Sequence, residues 1–396
     1  MSFFTLKKES YFLSQPHQPF FLAGVVWAMV VMLLFALSYH GLFVLNVEST
    51  FFHAYSMIFM VFTPFFNGFI FTTFPRFCQS EVIAKRRYLQ VLFTSQLGSL
   101  FFVIGLFVNI YLTLFGIFLL FISHIMSVVQ LQKTYSSGYG SKNSSDPFWI
   151  LIGFYVGVFV HLLFFVTSVF GLFDIKTGYF FALGALGVWN YLIFVAFAVA
   201  QRMVPFFSHV MQEKISGFSA TVFTGLLLKT LFIVMVMQRS EMLLDIALGI
   251  YIALEYRRWK LQTFNSPAIL WVLHLALYWI PLALFLGALS KFMSIYVDIT
   301  LNFFQLHVIV IGFLTTMLIG FGTRVTLGHS GQVPHADRYT TNLFLFVQVI
   351  VVIRAFYAFF TQALWLFDLA AFAWIVLYLF WSGRFALVLI QGKKIS

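Results

Sequence analysis

An all-α, polytopic membrane protein forming a single domain over residues 1–396 is the fold class that this sequence predicts. Of the 396 residues, 62% are hydrophobic and only 9% charged, whereas a soluble domain carries roughly 25% charged residues. Apolar runs recur along the whole chain at the length of about 20 residues that a bilayer-crossing helix needs. Lysines and arginines collect at alternate junctions between these runs, the pattern that orients a multi-spanning protein.

The expected spans follow in order. Met1 to Pro19 holds two lysines and a glutamate but no apolar run ending in small residues, so no cleavable leader is expected and the first span, Phe20–Leu45, acts as its own insertion signal. Phe51–Phe74 follows and ends at Pro75 and Arg76. Tyr88–Val108 and Ile110–Leu131 are separated by little more than Asn109. Ser136 to Pro147 is a flexible linker by composition, and Pro147–Phe173 and Gly178–Phe207 come next. Gly217–Met237 and the short Glu241–Tyr256 precede Pro267–Leu289. Leu301–Thr323, Thr341–Phe360 and Leu364–Leu387 complete twelve spans.

Assigning alternate junctions to one side places eighteen basic residues with both termini and three, Lys176, Arg239 and Lys291, opposite; Lys229 and Arg354 fall inside spans. The positive-inside tendency then puts both termini in the cytoplasm. It also accounts for the formal charge of +11 without a nucleic-acid partner. A single cysteine, Cys78, excludes an intramolecular disulfide and a four-cysteine iron–sulfur cluster, so any metal is held chiefly by nitrogen or oxygen.

The ten histidines sort by depth in this frame. His40, His53 and His307 lie toward the outer side, His161 near mid-membrane, and His124 and His274 toward the cytoplasm. His209, His329 and His335 fall in or beside cytoplasmic loops, and His17 precedes the first span. His307 is the only titratable side chain between Leu301 and Thr323. A charge at mid-depth costs on the order of 2.5–3.5 kcal/mol, so a neutral, bonded imidazole is expected, either hydrogen bonded to a neighbouring helix or ligating iron or copper. His53 and His307 sit at compatible depths to face each other across a planar ring. Three spans also end in arginine on the cytoplasmic side, in FTTFPRFC with Arg76, AQRMVPFF with Arg202 and GFGTRVTLGHSG with Arg324. These arginines are topological anchors or bidentate donors to an anion. Lys229 reads as snorkelling. For Arg354, a haem propionate, Asp245 or Asp368 is the expected counter-charge.

Several of these stretches resemble the NnrS family, bacterial inner-membrane proteins of about twelve spans that contain haem and copper and are linked to the nitric oxide response. HVIVIGFLTTMLIGFGTRVTLGHSG, with His307, Gly312, Thr316, Met317, Thr323, Arg324, Leu327, Gly328, His329 and Gly331, looks like the family signature HALTVGAIGTMTLAVMTRVSLGHTG. SPAILWVLHLALYWIPL, with Trp271 and His274, resembles LLWVLHLGYAW. AQRMVPFFSHV, with Arg202, Pro205 and Phe206, resembles GGRVIPFFTRN, and FHAYSMIFMVFTPFFNGFIFTTFPRF resembles WHAHEMLFGFVAAAIAGFLLTAVPNW.

The resemblance implies a protein of the bacterial inner membrane that handles nitric oxide or protects against nitrosative stress. It implies b-type haem at His53 and His307. By their positions, His161 and His274 are ligands of a second metal, members of a proton path or hydrogen-bonded helix contacts; Arg202, Arg324 and Arg354 are contacts to a cofactor's anionic group; and His329 donates to a propionate or caps a helix end. The sequence departs from the family where relatives read His-Ala-His-Glu-Met and this chain reads His53-Ala54-Tyr55-Ser56-Met57, so haem is kept and copper is the weaker expectation. Haem–copper oxidases offer an architectural analogy, with twelve helices and histidines near the outer ends of the second and tenth. The rival class is a twelve-helix secondary transporter in which Lys229 and Arg354 serve substrate or coupling ions. The sequence identifies neither a reaction nor an electron donor.

Overall fold

The computed structural model describes residues 10–140, 145–171 and 178–393. Lys7, Lys8, Lys142, Lys176 and Lys394, which enter the charge distribution above, lie outside the described residues. Every regular element among the described residues is helical. Each expected span corresponds to a helix: α1 (His17–Tyr39), α2 (Ser49–Cys78), α3 (Lys85–Val108), α4 (Ile110–Ser137), α5 (Asp146–Val169), α6 (Phe180–Phe207), α7 (Phe218–Val234), α8 (Gln238–Trp259), α9 (Ala268–Tyr296), α10 (Phe304–His329), α11 (Arg338–Phe359) and α12 (Leu364–Gln391). Ten of these are long and apolar enough to cross a bilayer, so the chain is a multi-pass membrane protein. The other two are α7, with 17 residues, and α8, with 22. Helix α8 begins three residues before and ends three residues after the expected Glu241–Tyr256, and the carboxylates of its first turns are neutralised by lysines of α7 and α9.

Local chemistry sets the helix ends. Glu48, Asn109 and Asp337 each accept a backbone N–H of the following turn, from Phe51, Leu112 and Thr340 at 3.2, 2.9 and 2.8 Å, which satisfies donors that the first turn leaves open. Asn109 is the whole connection between α3 and α4, with extended backbone at φ −167° and ψ 157°. The two helices therefore run antiparallel at backbone contact, and a Cβ on Gly116 would overlap the backbone nitrogen of Phe102.

Three helices form the centre. The most hydrophobic windows of α2, α6 and α10 are 94, 83 and 78% buried, against 33–56% for the other seven apolar spans. All three carry a π segment about a third of the way along, at Met57–Phe62, Leu186–Ile193 and Val310–Thr315. Widening a helix to the i→i+5 pattern displaces carbonyls from their usual partners. Threonines five residues on recover three of them: the hydroxyl of Thr63 donates to the Ile58 carbonyl at 2.8 Å, that of Thr315 to the Val310 carbonyl at 3.0 Å and that of Thr316 to the Ile311 carbonyl at 3.4 Å. A polar group inside hydrocarbon has no water to fall back on, so these internal bonds decide whether the distortion is tolerated.

Replacing Gly116 by valine forces α3 and α4 apart, and overpacking of this kind costs about 1–3 kcal/mol or more. The expected result is a lowered thermal midpoint and a reduced yield of monodisperse protein in detergent; an unchanged midpoint would contradict the one-residue hairpin.

Candidate functional site

The structure brings two of the sequence-nominated histidines together. His53, in the first turns of α2, and His307, in the first turn of α10, are both half-buried. Their rings are nearly parallel, 14° apart, with centroids 6.5 Å from each other. Phe35 of α1 stacks on the His53 ring at 4.2 Å. The Nδ1 of His307 is 2.9 Å from the Phe303 carbonyl oxygen, which can only accept, and 3.1 Å from Nη2 of Arg354, which can only donate; the shorter contact favours the proton on Nδ1 and the lone pair on Nε2. Nδ1 of His53 is buried and has no hydrogen-bond partner.

Arg354 of α11 completes this group. Its Nη2 is 3.1 Å from Nδ1 and 3.4 Å from Nε2 of His307, its guanidinium lies 5.1 Å from the Tyr357 ring, and its Nη1 is buried without a partner. Neither carboxylate expected to neutralise it does so. Asp245 is taken by Lys229, and Asp368 by His40 at 2.6 Å. Among the described residues no acidic side chain pairs with Arg354. A half-buried guanidinium without a counter-ion, beside two neutral imidazoles, is a site with a charge to offer an anionic group.

His161 and His274 lie elsewhere. His161 of α5 is fully enclosed and joins Tyr55, whose hydroxyl is 2.8 Å from its Nε2, to His124 of α4, whose Nδ1 is 3.3 Å from its own Nδ1. Phe59 stacks on the His161 ring at 3.7 Å. Each neutral ring carries one proton, so the chain of bonds runs through His161 and leaves Nε2 of His124 unpaired. Tyr55, which stands where relatives carry a second histidine, therefore holds a histidine from another helix. His274 of α9 bonds Ser208 at 2.8 Å through Nε2. Among the described residues no three His, Cys, Asp or Glu side chains are grouped as metal ligands.

The remaining nominated residues gather at the opposite ends of the central helices. Arg202, Arg324 and His329 line a cavity of about 990 Å³ together with Arg76. Seventeen residues separate His307 from Arg324, or about 25 Å of helix. The arginines of this face therefore cannot serve a group bound at the histidine pair; Arg354 can.

Lys229 is not snorkelling. Its ammonium, with no exposed surface, donates to Glu241 at 2.9 Å, to both oxygens of Asp245 at 2.8 Å and to Gln305 at 2.9 Å. Lys291 adds a second ion pair to Glu241 at 3.2 Å. The reason is placement: Lys229 is five residues from the end of α7 and meets the first turns of α8, whose carboxylates are nearer than any water.

A model of the family described as NnrS protein matches residues 11–393. The chain belongs to the NnrS family. No curated protein matches it. Family membership covers the histidine pair, the Tyr55 cluster and the arginine-lined cavity alike, since the match spans nearly the whole chain.

Replacing Lys229 by methionine strands two buried carboxylates, and breaking a buried pair from one side costs about 3–5 kcal/mol. A large fall in thermal midpoint is expected, partly reversed when Glu241→Gln and Asp245→Asn are added; no fall would show that the cluster is not closed to water. Tyr55→Phe leaves His161 Nε2 without its partner at a cost of about 1–3 kcal/mol, readable in the same assay, and midpoints equal to wild type would count against the bond.

Proposed function

We propose that this protein is a haem-binding membrane protein of the NnrS type that acts in nitric oxide handling or in resistance to nitrosative stress. We place it in the bacterial inner membrane with its basic face toward the cytoplasm, as the positive-inside tendency directs. The observation that carries the haem reading is the juxtaposition of His53 and His307 with the uncompensated Arg354. Two imidazoles on one metal, each bonded at about 2 Å, have centroids roughly 6 Å apart, and the observed 6.5 Å is close to that spacing.

In this reading His53 and His307 hold the iron of a b-type haem, and Arg354 neutralises a propionate. The Phe303 carbonyl fixes the His307 tautomer so that Nε2 is presented, as second-layer hydrogen bonds commonly do for ligating histidines. Phe35 keeps the His53 ring in plane and excludes water from one side. Bound haem supplies a redox-active iron that takes up diatomic gases when an axial position is free. With His53 and His307 both holding it, the iron would supply electron transfer or sensing more than gas chemistry. Copper is not part of the proposal, since the hydroxyl of Tyr55 is engaged with His161. The transporter reading has less support: Lys229, on which it would draw, is matched by two carboxylates.

Purified protein is expected to show a reduced-minus-oxidised haem band that His53→Ala and His307→Ala each abolish, with haem content falling to background. Arg354→Gln should keep the ligands but weaken haem retention about tenfold, the worth of one charge-assisted bond. A colourless, folded wild type supplied with haem, or both histidine variants retaining native spectra, overturns the assignment.

A further inference from the structure

We propose that the arginine-lined cavity on the basic face is a binding site for an aromatic organic anion bearing a phosphate or carboxylate. This site is separate from the histidine pair and does not rest on the haem reading. The cavity lies among the ends of α2, α6 and α10 and the start of α5. Its volume of about 990 Å³ is at the top of the range of roughly 300–1,000 Å³ typical of sites for drug-sized molecules, which argues against a bare inorganic ion.

The polar groups of the lining select charge. Arg76, Arg202, Lys214 and Arg324 face two acids, Asp146 and Glu213. Asp146 is already engaged by Lys214 at 2.7 Å, Arg202 at 3.3 Å and Gln201 at 2.8 Å. Arg324 and Arg76 have no acidic partner among the described residues. The Arg324 guanidinium lies 3.8 Å from the centroid of the Phe207 ring. Stacking of this kind occupies the face of the fork and leaves its edge, with the N–H donors, for an anion. A concave basic surface with low-dielectric walls also concentrates anions from the adjacent solvent.

The apolar part of the lining selects the body of the ligand. Phe69, Phe77, Trp149, Phe207 and Phe321 supply rings, and Phe69 and Phe321 meet at 5.1 Å between centroids. That pair also lines a narrow cleft of about 30 Å³ deeper between the central helices, walled by Phe66, Val195 and Leu314 without a charged side chain. The cavity is thus charged at its rim and aromatic in its depth. A flat ring system fits against the phenylalanines while its acid group reaches Arg324 and Arg76.

The probe is flavin mononucleotide, an aromatic phosphate, titrated by fluorescence into the full-length protein in nanodiscs of phosphatidylcholine. Saturable binding that inorganic phosphate competes, weakened about tenfold or more in both Arg324→Gln and Arg76→Gln, supports the site. Arg324→Lys, which keeps the charge and loses the fork, should fall between. Gly328→Trp should block binding without removing a charge, because a Cβ there meets nothing nearer than Pro334 Cγ at 3.8 Å and the added ring enters the cavity. Arg384→Gln, whose partner is Asp337, serves as the control and should bind as wild type. The proposal is overturned by absence of saturable binding to folded wild type or by affinity unchanged in Arg324→Gln. Retention of phosphatidylglycerol that excludes the flavin and depends on the same arginines also overturns it, in favour of a lipid headgroup.

Discussion

The constraint on which this structure depends is the absence of water from the middle of a bilayer, which obliges each polar group there to find a partner within the protein. The chain meets it in different ways at different depths. The displaced carbonyls of the π segments are taken by threonine hydroxyls of the same helix. Lys229 is taken by three side chains from two other helices. Tyr55 and His161 take each other. Closure is incomplete: fifteen buried side-chain nitrogen and oxygen atoms among the described residues have no partner, Nη1 of Arg354, Nδ1 of His53 and Nε2 of His124 among them. Of these, Arg354 Nη1 and His53 Nδ1 border the histidine pair, where the two imidazoles and an uncompensated guanidinium come together.

Much of the helical frame was legible in the sequence. Hydropathy at helix length locates all twelve segments, and Asn109 between two apolar runs marks a turn of one residue. The depths of His53 and His307 follow from their positions near the starts of the second and tenth spans, because a helix converts sequence distance into depth at a fixed rise. Lateral neighbourhood is another matter. Tyr55 and His161 are 106 residues apart, His124 and His161 are 37 apart, and nothing in a single sequence says which helix faces which. Lys229 was read as snorkelling for the same reason: its carboxylates lie 12 and 16 positions on, across a turn. The π segments leave no sequence mark because their residues are as apolar as their surroundings.

The two candidate sites occupy opposite ends of the same three helices. The histidine pair and Arg354 sit where α2 and α10 begin, and the aromatic cavity sits where α2, α6 and α10 end. Between them the central helices present mainly phenylalanine, valine and leucine, with a few buried polar side chains such as Asn67 and Asn190.

The π segments also govern phase. A turn of the wider helix amounts to one extra residue within an α-helix, and each residue advances the helix by about 100°. Deleting a single residue from 57–62 would restore the ordinary pitch and leave everything beyond it, Arg76 included, at nearly the same angle relative to His53, because the wider turn holds one more residue in the same rotation. The same holds for His307 and Arg324 on α10. The angular relation between what these helices present at one membrane surface and at the other therefore survives the loss of one residue from the π segment, whereas the same loss from the regular helix on either side re-aims one end of the molecule by about 100°.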